Sequence, residues 1–485
     1  MKSSDPTLGS LSESLRNTGF KRLAENFWRR VSRPTVIVLA VWLIYAWTQV
    51  GYDSPDEHFP TLEAAGYLLF GRGNLTWEFQ QGLRSWLQPG ILAGWIWPLQ
   101  RLGIEDRMLL DSWARMGLVF LVFWSLRFYR RLSSTGSHPD SAALALCFAP
   151  WVIWGTRHGS DTFVLPFLIG ATAQILKKTA HPQSTWSDGL WTGLWIAIAI
   201  QTRYLVGVPL AFLVLSCGLL RRRTWNSIWI FSLVAIFFTA VLEMLNAGIY
   251  SVLGQGVRFP IWEFFKFNVI QGSGQFHESP KFEATLYGLI FIVLSTGACL
   301  SSFKSWIRPK QGLQPIVIAT VLTLLVLGLV RHQELRFVFC LLPWMALIAT
   351  DSLSEASLTR WFRFQAVLLV LAWVVYSEPH GMLVRALNRV PAESQRLLLV
   401  GVGGSLPEFY LKSAVSLEWM EVDGWRKSCR DPGFWSESRH VVSAQACPQL
   451  PEAGEIDSEV IPQNLGYRLR QLFSETRAPQ WFYSK

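Results

Sequence analysis

Eleven apolar runs, near residues 34–51, 109–127, 141–156, 162–176, 187–202, 204–220, 226–245, 284–302, 314–330, 337–350 and 364–377, constrain this chain more than any other feature. A helix needs about 20 apolar residues to cross a hydrocarbon core, and backbone polar groups cannot go unpaired there. Because the runs are continuous rather than alternating, they predict an all-α polytopic membrane protein of about eleven transmembrane helices and exclude a closed β-barrel. Composition agrees. Of 485 residues, 51% are hydrophobic and only 16% charged, where soluble domains carry about 25% charged residues.

The net charge of +10 would suit a nucleic-acid partner if it were concentrated on one face. Instead the basic residues form short clusters between apolar runs and read as topology signals, so no nucleic acid is expected. Lys21, Arg22, Arg29, Arg30 and Arg33 precede the first run, and no small-residue cleavage site follows it. Residues 1–33 therefore read as a cytoplasmic N-terminus before an uncleaved first helix. Alternate loops carry Arg127, Arg130 and Arg131, then Lys177 and Lys178, then Arg221 to Arg223, then Lys304, Arg308 and Lys310, then Arg360 and Arg363. With these on the cytoplasmic side, the opposite side receives loops 52–108, 157–161, 246–283 and 331–336, the turn at Arg203, and the tail from about 380.

Residues 34–379 are thus expected to be the membrane domain, with 52–108 as its large outward loop. In that loop TLEAAGYLLF and SWLQPGILAGWIWPLQ suggest helices lying along the membrane surface, with Trp86, Trp95 and Trp97 at headgroup depth. The segment WEFFKFNVI, 262–270, reads the same way, and QGSGQF after it reads as a loop. Residues 380–485 are polar enough for a small extracytoplasmic α/β domain, in which RLLLVGVGGSLPEFYL predicts strand, glycine turn and helix. Those glycines lack the spacing of a dinucleotide-binding turn. Cys147, Cys217, Cys299 and Cys340 lie within apolar runs as small buried hydrophobes, whereas Cys429 and Cys447 lie in the tail, where an oxidising compartment would permit a disulfide.

The outward loops gather Asp53, Asp56, Glu57, His58, Glu63, Glu78, Arg84, Arg157, His158, Asp161, Arg203, Arg331, His332, Glu334 and Arg336 at the membrane boundary. Charges there are costly unless they face water, a partner or a substrate. In SPDEHF, 54–59, Asp56 and Glu57 could cap a helix, or could supply a general base just outside the bilayer. In RHQELRF, 331–337, Arg331 and Arg336 could snorkel or pair with Glu334, or could form an anion site with His332 for a lipid-linked phosphate.

Two stretches carry a resemblance. SPDEHFPTLEAAGYLLF with the following LTWE and RS, and RHQELRFVFCLLPW with His332, Glu334, Arg336, Phe337 and Pro343, are similar to the two hallmarks of glycosyltransferase family 22. These are the polyprenol-phosphate-mannose-dependent mannosyltransferases of the type C superfamily. Ser54 stands where the family has His or Asn, Gln333 where it has Lys, and Thr202, Arg203 and Tyr204 where Arg-Pro is common. Gln333 removes a cation, so phosphate contacts would shift, with Arg331 a candidate to take them.

The resemblance implies transfer of mannose or a similar hexose from a polyprenyl or dolichyl phosphate carrier to a hydroxyl of a lipid-linked glycan, with inversion. Asp56 would be the base and Glu57 would orient the acceptor or Asp56 itself. Arg331, His332, Arg336 and Arg203 would hold the donor phosphate, while His58, Glu78, Arg84 and Glu334 would position the acceptor. No cofactor is required. A divalent metal on Asp53, Asp56 and Glu57 remains an alternative but is not expected, because Arg and His groups can neutralise the phosphate. The same fold could modify a bacterial envelope lipid with another sugar. A transporter is the alternative of a different class, although no repeated halves are visible. The outward side would be the periplasm of a bacterial inner membrane or the lumen of the endoplasmic reticulum.

Overall fold

The computed structural model describes residues 33–49, 51, 58–133, 145–180, 186–220, 225–271, 280–310, 312–330, 333–351, 353–376, 381–391, 394, 396–400, 408–412, 416–420, 440–443, 457–460 and 481–484. Numbered in chain order, the helices are α1 (Arg33–Thr48), α2 (Ala64–Phe70), α3 (Trp77–Gln80), α4 (Leu87–Arg101), α5 (Arg107–Ser133), α6 (Ala149–Gly155), α7 (Ser160–Phe163), α8 (Leu165–Ala180), α9 (Trp186–Thr202), α10 (Gly207–Leu220), α11 (Trp225–Val252), α12 (Pro260–Phe265), α13 (Glu283–Thr296), α14 (Leu300–Ile307), α15 (Gln314–Leu329), α16 (Leu342–Asp351), α17 (Glu355–Tyr376) and α18 (Gly381–Arg389). Each predicted apolar run falls on helix, but several runs are broken. Run 284–302 divides into α13 and α14 at Gly297, whose φ of 53° is left-handed and whose missing Cβ would lie 2.9 Å from the Phe364 ring.

By length and apolarity, α11 and Arg107–Ser125 of α5 each suffice to cross a membrane. The pair formed by α6 and residues 160–177, bent by 117°, makes a third if it is one span. Five shorter apolar helices accompany them among the described residues. The long α11 exposes Trp229, Leu233, Ile236, Phe237 and Met244, as a lipid-facing helix does. By contrast α16 is buried along its whole length, and its Trp344 indole donates to Thr172 Oγ1 of α8 at 2.9 Å. Close approach of helices uses small residues, as expected where van der Waals packing replaces the hydrophobic effect. A Cβ on Gly193 of α9 would lie 2.5 Å from Val234 of α11, and one on Gly288 of α13 would lie 2.3 Å from Leu324 of α15.

Residues 58–108 differ from the expectation of two surface helices. The first stretch begins as a buried π-helical turn, Phe59–Glu63, before α2, and the second forms α4. Trp95 and Trp97 are exposed, but Trp86 is only 1% exposed, against Phe79 at 4.5 Å and Tyr250 at 5.9 Å between ring centroids. It lies in a core because Phe79 comes from the turn before it and Tyr250 from the far end of α11, a contact invisible locally. Residues 262–270 form the end of α12 and a π-helical turn with Trp262, Phe265 and Ile270 exposed, as a surface element requires.

Toward the C-terminus the described strands β1 (Arg396–Val400), β2 (Ser416–Met420), β3 (His440–Ser443), β4 (Asp457–Val460) and β5 (Trp481–Ser484) form one sheet in the order β2-β1-β3-β5-β4. Here β1 runs parallel to β2 and β3, while β5 is antiparallel to β3 and β4. Among the described residues, the helix expected after the glycines is a single 3-10 turn, Glu408–Tyr410. Its Phe409 and Tyr410 are buried in the main hydrophobic core, which docks this turn against the helices.

Candidate functional site

Three arginines from separate parts of the chain converge. Glu78 sits in the first turn of α3, where a carboxylate complements the helix dipole. The chain then turns back so that Arg84 grips Glu78 with a two-pronged fork, Nε to Oε2 at 2.9 Å and NH2 to Oε1 at 2.8 Å. Arg203 occupies the extended break between α9 and the 3-10 turn Tyr204–Val206, and pairs at 2.8 Å with Asp161 in the first turn of α7. Arg336 is the second residue of the 3-10 stretch Leu335–Leu341 and donates to Glu334 at 2.8 Å.

The three pairs share one electrostatic neighbourhood. Arg84 feels Arg336 and Asp161, and Arg203 feels Arg84, Arg336 and Glu78. The Phe337 ring neighbours two guanidiniums, with Arg203 5.7 Å and Arg336 5.8 Å from its centroid. Asp161 is buried, and the other five side chains are partly buried, from 12% exposed for Arg203 to 31% for Glu334. Arginine carries five N–H donors in a planar fork suited to a phosphate, and the paired carboxylates hold the charge of the cluster in place.

The expected Lys position of the second hallmark behaves differently. Gln333 is buried; its Oε1 accepts the Ala284 N–H at 2.6 Å, and its Nε2 donates to the carbonyls of Gly328 and Val330, each at 2.8 Å. It ties the end of α15 to the start of α13, a role for an uncharged amide that a lysine could fill only by donating.

A second polar network lies deeper. Asp111 of α5 accepts the Arg115 fork at 3.1 and 2.9 Å and the Tyr410 hydroxyl at 2.8 Å, and is hydrogen-bonded to His158 Nε2 at 2.7 Å. Tyr410 stacks on His58 at 5.3 Å and 12° between planes. His58 is bonded to Glu63 at 2.8 Å, and Glu63 also accepts the backbone N–H groups of Asn74 and Phe409. At its edge Arg72 donates to the Leu411 carbonyl, and burial, with Glu63 nearby, raises the Glu408 carboxyl above its ordinary value.

Of the residues singled out in the sequence, Arg203, Arg336, Glu334, Glu78 and Arg84 are brought together. His58 instead joins the deeper network. Asp56, Glu57, Arg331 and His332 lie outside the described residues, as do Asp53, Ser54, Cys429 and Cys447. Asp161 belonged to the outward polar set without a role, and its pairing with Arg203 gives it one. Asp111, Arg115 and Tyr410 carried no sequence signal, because the first two sit in an apolar run and Tyr410 in the tail. Cys147, Cys217, Cys299 and Cys340 are buried thiols. Among the described residues no group of three or more His, Cys, Asp or Glu is arranged to hold a metal.

Residues 34–390 match the model of the Alg9-like mannosyltransferase family. The chain is 25% identical over 427 residues to GPI mannosyltransferase 3 of Yarrowia lipolytica, covering 85% of this chain and 80% of that one. It is 31% identical over 335 residues to GPI mannosyltransferase 3 of Drosophila melanogaster, covering 67% of this chain and 56% of that protein, so it spans little more than half of the second relative. Among solved structures, ArnT from Cupriavidus metallidurans bound to undecaprenyl phosphate superposes with a TM-score of 0.56 at 12% identity, covering 93% of this chain and 97% of ArnT. That likeness shows a shared fold.

Proposed function

The chain belongs to the Alg9-like mannosyltransferase family, and from that premise we propose that it moves a mannosyl residue from a polyprenyl or dolichyl phosphate to a hydroxyl of a lipid-linked glycan. The observation that carries the reading is the convergence of Arg84, Arg203 and Arg336, held by Glu78, Asp161 and Glu334, in one half-buried neighbourhood. Fixed guanidiniums at a membrane boundary suit a phosphate leaving group and stabilise the charge that develops on it. Undecaprenyl phosphate bound to ArnT, a protein of the same fold, is consistent with a lipid-linked donor.

In the proposed reaction Asp56 takes the proton of the acceptor hydroxyl as its oxygen attacks the anomeric carbon opposite the phosphate. The new C–O bond forms as the bond to phosphate breaks, the configuration inverts, and the carrier phosphate departs. Arg203 and Arg336 hold that phosphate, with Arg331 and His332 beside Arg336 in sequence. The Arg84–Glu78 pair positions the acceptor and Glu57 orients Asp56. All eleven apolar segments are placed in the membrane, with 380–485 as the outward domain. The site faces the endoplasmic reticulum lumen or the periplasm.

The acceptor that the relatives' names favour is a GPI-type glycolipid; the alternative is an envelope lipid in a bacterium. Membranes containing the chain, supplied with radiolabelled polyprenyl-phosphate-mannose and lipid extracts, should make a labelled glycolipid that disappears with Asp56→Asn. Full activity of a folded Asp56→Asn protein would remove Asp56 as the base. Uptake of a labelled solute into proteoliposomes with no covalent product would replace the enzyme by a transporter.

A further inference from the structure

Tyr204 follows Arg203 directly and opens the 3-10 turn Tyr204–Val206 between α9 and α10. It is also a departure from the family's hallmark, which commonly has proline there. Its ring packs against Phe264 of α12, with centroids 5.0 Å apart and planes at 59°. The side chain as a whole is partly buried, but its hydroxyl oxygen is enclosed and has no hydrogen-bond partner among the described residues. Glu243, Tyr250, Arg84 and Glu78 lie near enough to act on it electrostatically. Each of those four has a partner of its own. Glu243 accepts Gln201 Nε2 at 2.7 Å and the Ile261 N–H at 3.3 Å, the Tyr250 hydroxyl donates to the Arg84 carbonyl at 2.7 Å, and Arg84 and Glu78 grip each other. Asn246 ties this corner together, since its Nδ2 donates to Gln201 Oε1 at 3.2 Å and its Oδ1 accepts the Trp86 N–H at 2.8 Å.

An enclosed hydroxyl without a partner costs stability, because the water bonds it loses on burial are not replaced. The described neighbours of this one are committed to one another, and the polar group it lacks is one that a substrate can bring. Beside the phenol stand two carboxylates and a guanidinium already gripped by Glu78, which suits a neutral group better than a phosphate. A sugar hydroxyl is such a group, since it can accept from the phenol O–H or donate to its lone pairs. We infer that the Tyr204 hydroxyl is a contact for a sugar hydroxyl, which makes Tyr204 a specificity-determining residue for transfer. The inference rests on the reading of the chain as a hexosyl transferase. The sugar is the donor hexose or a hexose of the acceptor glycan. Either way the site disfavours a sugar lacking that hydroxyl, because the phenol would then stay enclosed without a partner.

The test is Tyr204→Phe in the full-length protein, with transfer measured from radiolabelled polyprenyl-phosphate-mannose to a lipid extract. Because no described residue bonds the hydroxyl, its removal is expected to leave the thermal midpoint of the substrate-free protein at or above the wild-type value. The same change is expected to lower kcat/KM by about tenfold or more, the loss that follows when a substrate hydroxyl loses its partner in an enclosed site. Polyprenyl phosphate without a sugar should inhibit wild type and variant within about twofold of each other. A raised KM for the labelled donor places the hydroxyl on the donor hexose, and a raised half-saturating concentration of lipid extract places it on the acceptor. Wild-type kcat/KM in folded Tyr204→Phe overturns the inference. So does a lower thermal midpoint, which would show the hydroxyl bonded within the chain, and so does weaker inhibition by polyprenyl phosphate, which would make it a phosphate contact. A wild-type protein that makes no labelled glycolipid removes the transferase reading itself and the inference with it.

Discussion

The two polar clusters of this molecule use the same chemical groups to opposite ends. The Arg84, Arg203 and Arg336 side chains are partly exposed and share one electrostatic neighbourhood, whereas Asp111, Arg115 and His158 are almost wholly enclosed. A partly exposed guanidinium that already shares its charge with a carboxylate can donate to a phosphate oxygen without stranding either charge. An enclosed ion pair cannot exchange anything, since any lost partner leaves a charge stranded in a medium that solvates it poorly. On the proposed reading the first cluster meets the donor phosphate, while the second holds a shape.

Three measurements would break or sharpen that contrast. The largest effect is expected from Asp111→Ala, which strands Arg115 and should lower stability by about 3–5 kcal/mol, read as a drop in thermal midpoint together with lost activity. Next, Arg336→Ala should lower kcat/KM for mannosyl transfer by roughly 10²–10³-fold, as loss of a charge-stabilising donor does, with the thermal midpoint nearly unmoved. If Arg336→Ala unfolds the protein, or Asp111→Ala leaves it as stable as before, the division between the clusters fails.

The smallest effect concerns Glu408 at the edge of the enclosed cluster. Burial raises its carboxyl above the ordinary 4.5, so the folded chain holds that proton more tightly than the unfolded one. Stability from this group is therefore full below 4.5 and is lost as pH rises through the folded value. Glu408→Gln should stabilise the protein at pH 7 by less than about 1 kcal/mol and make no difference below pH 4.5, as thermal midpoints across pH would show.

How much was legible in the sequence follows from how local each signal is. Apolar runs became helices because hydrophobicity and internal hydrogen bonding act within a segment. The hallmark residues Glu78, Arg84, Glu334 and Arg336 were legible because short turns bring each acid to its own base. Arg203 was found, but its partner Asp161 lies 42 positions away and only folding joins them. The burial of Trp86 was misread for the same reason, since an indole suited to headgroups is equally suited to a core. Gln333, a departure from the family's lysine, read as a lost cation, and only the structure adds that it ties α15 to α13.

By itself the sequence determined a helical membrane chain, its family, and the residue types able to meet a lipid-linked phosphate, because these depend on composition, period and short motifs. The tertiary structure alone decided that three distant arginines share one site and that Tyr410 reaches Asp111 across 299 positions. Pairing over such separations depends on which buried surfaces fit, and a buried charge reveals its purpose only once its partners are in place.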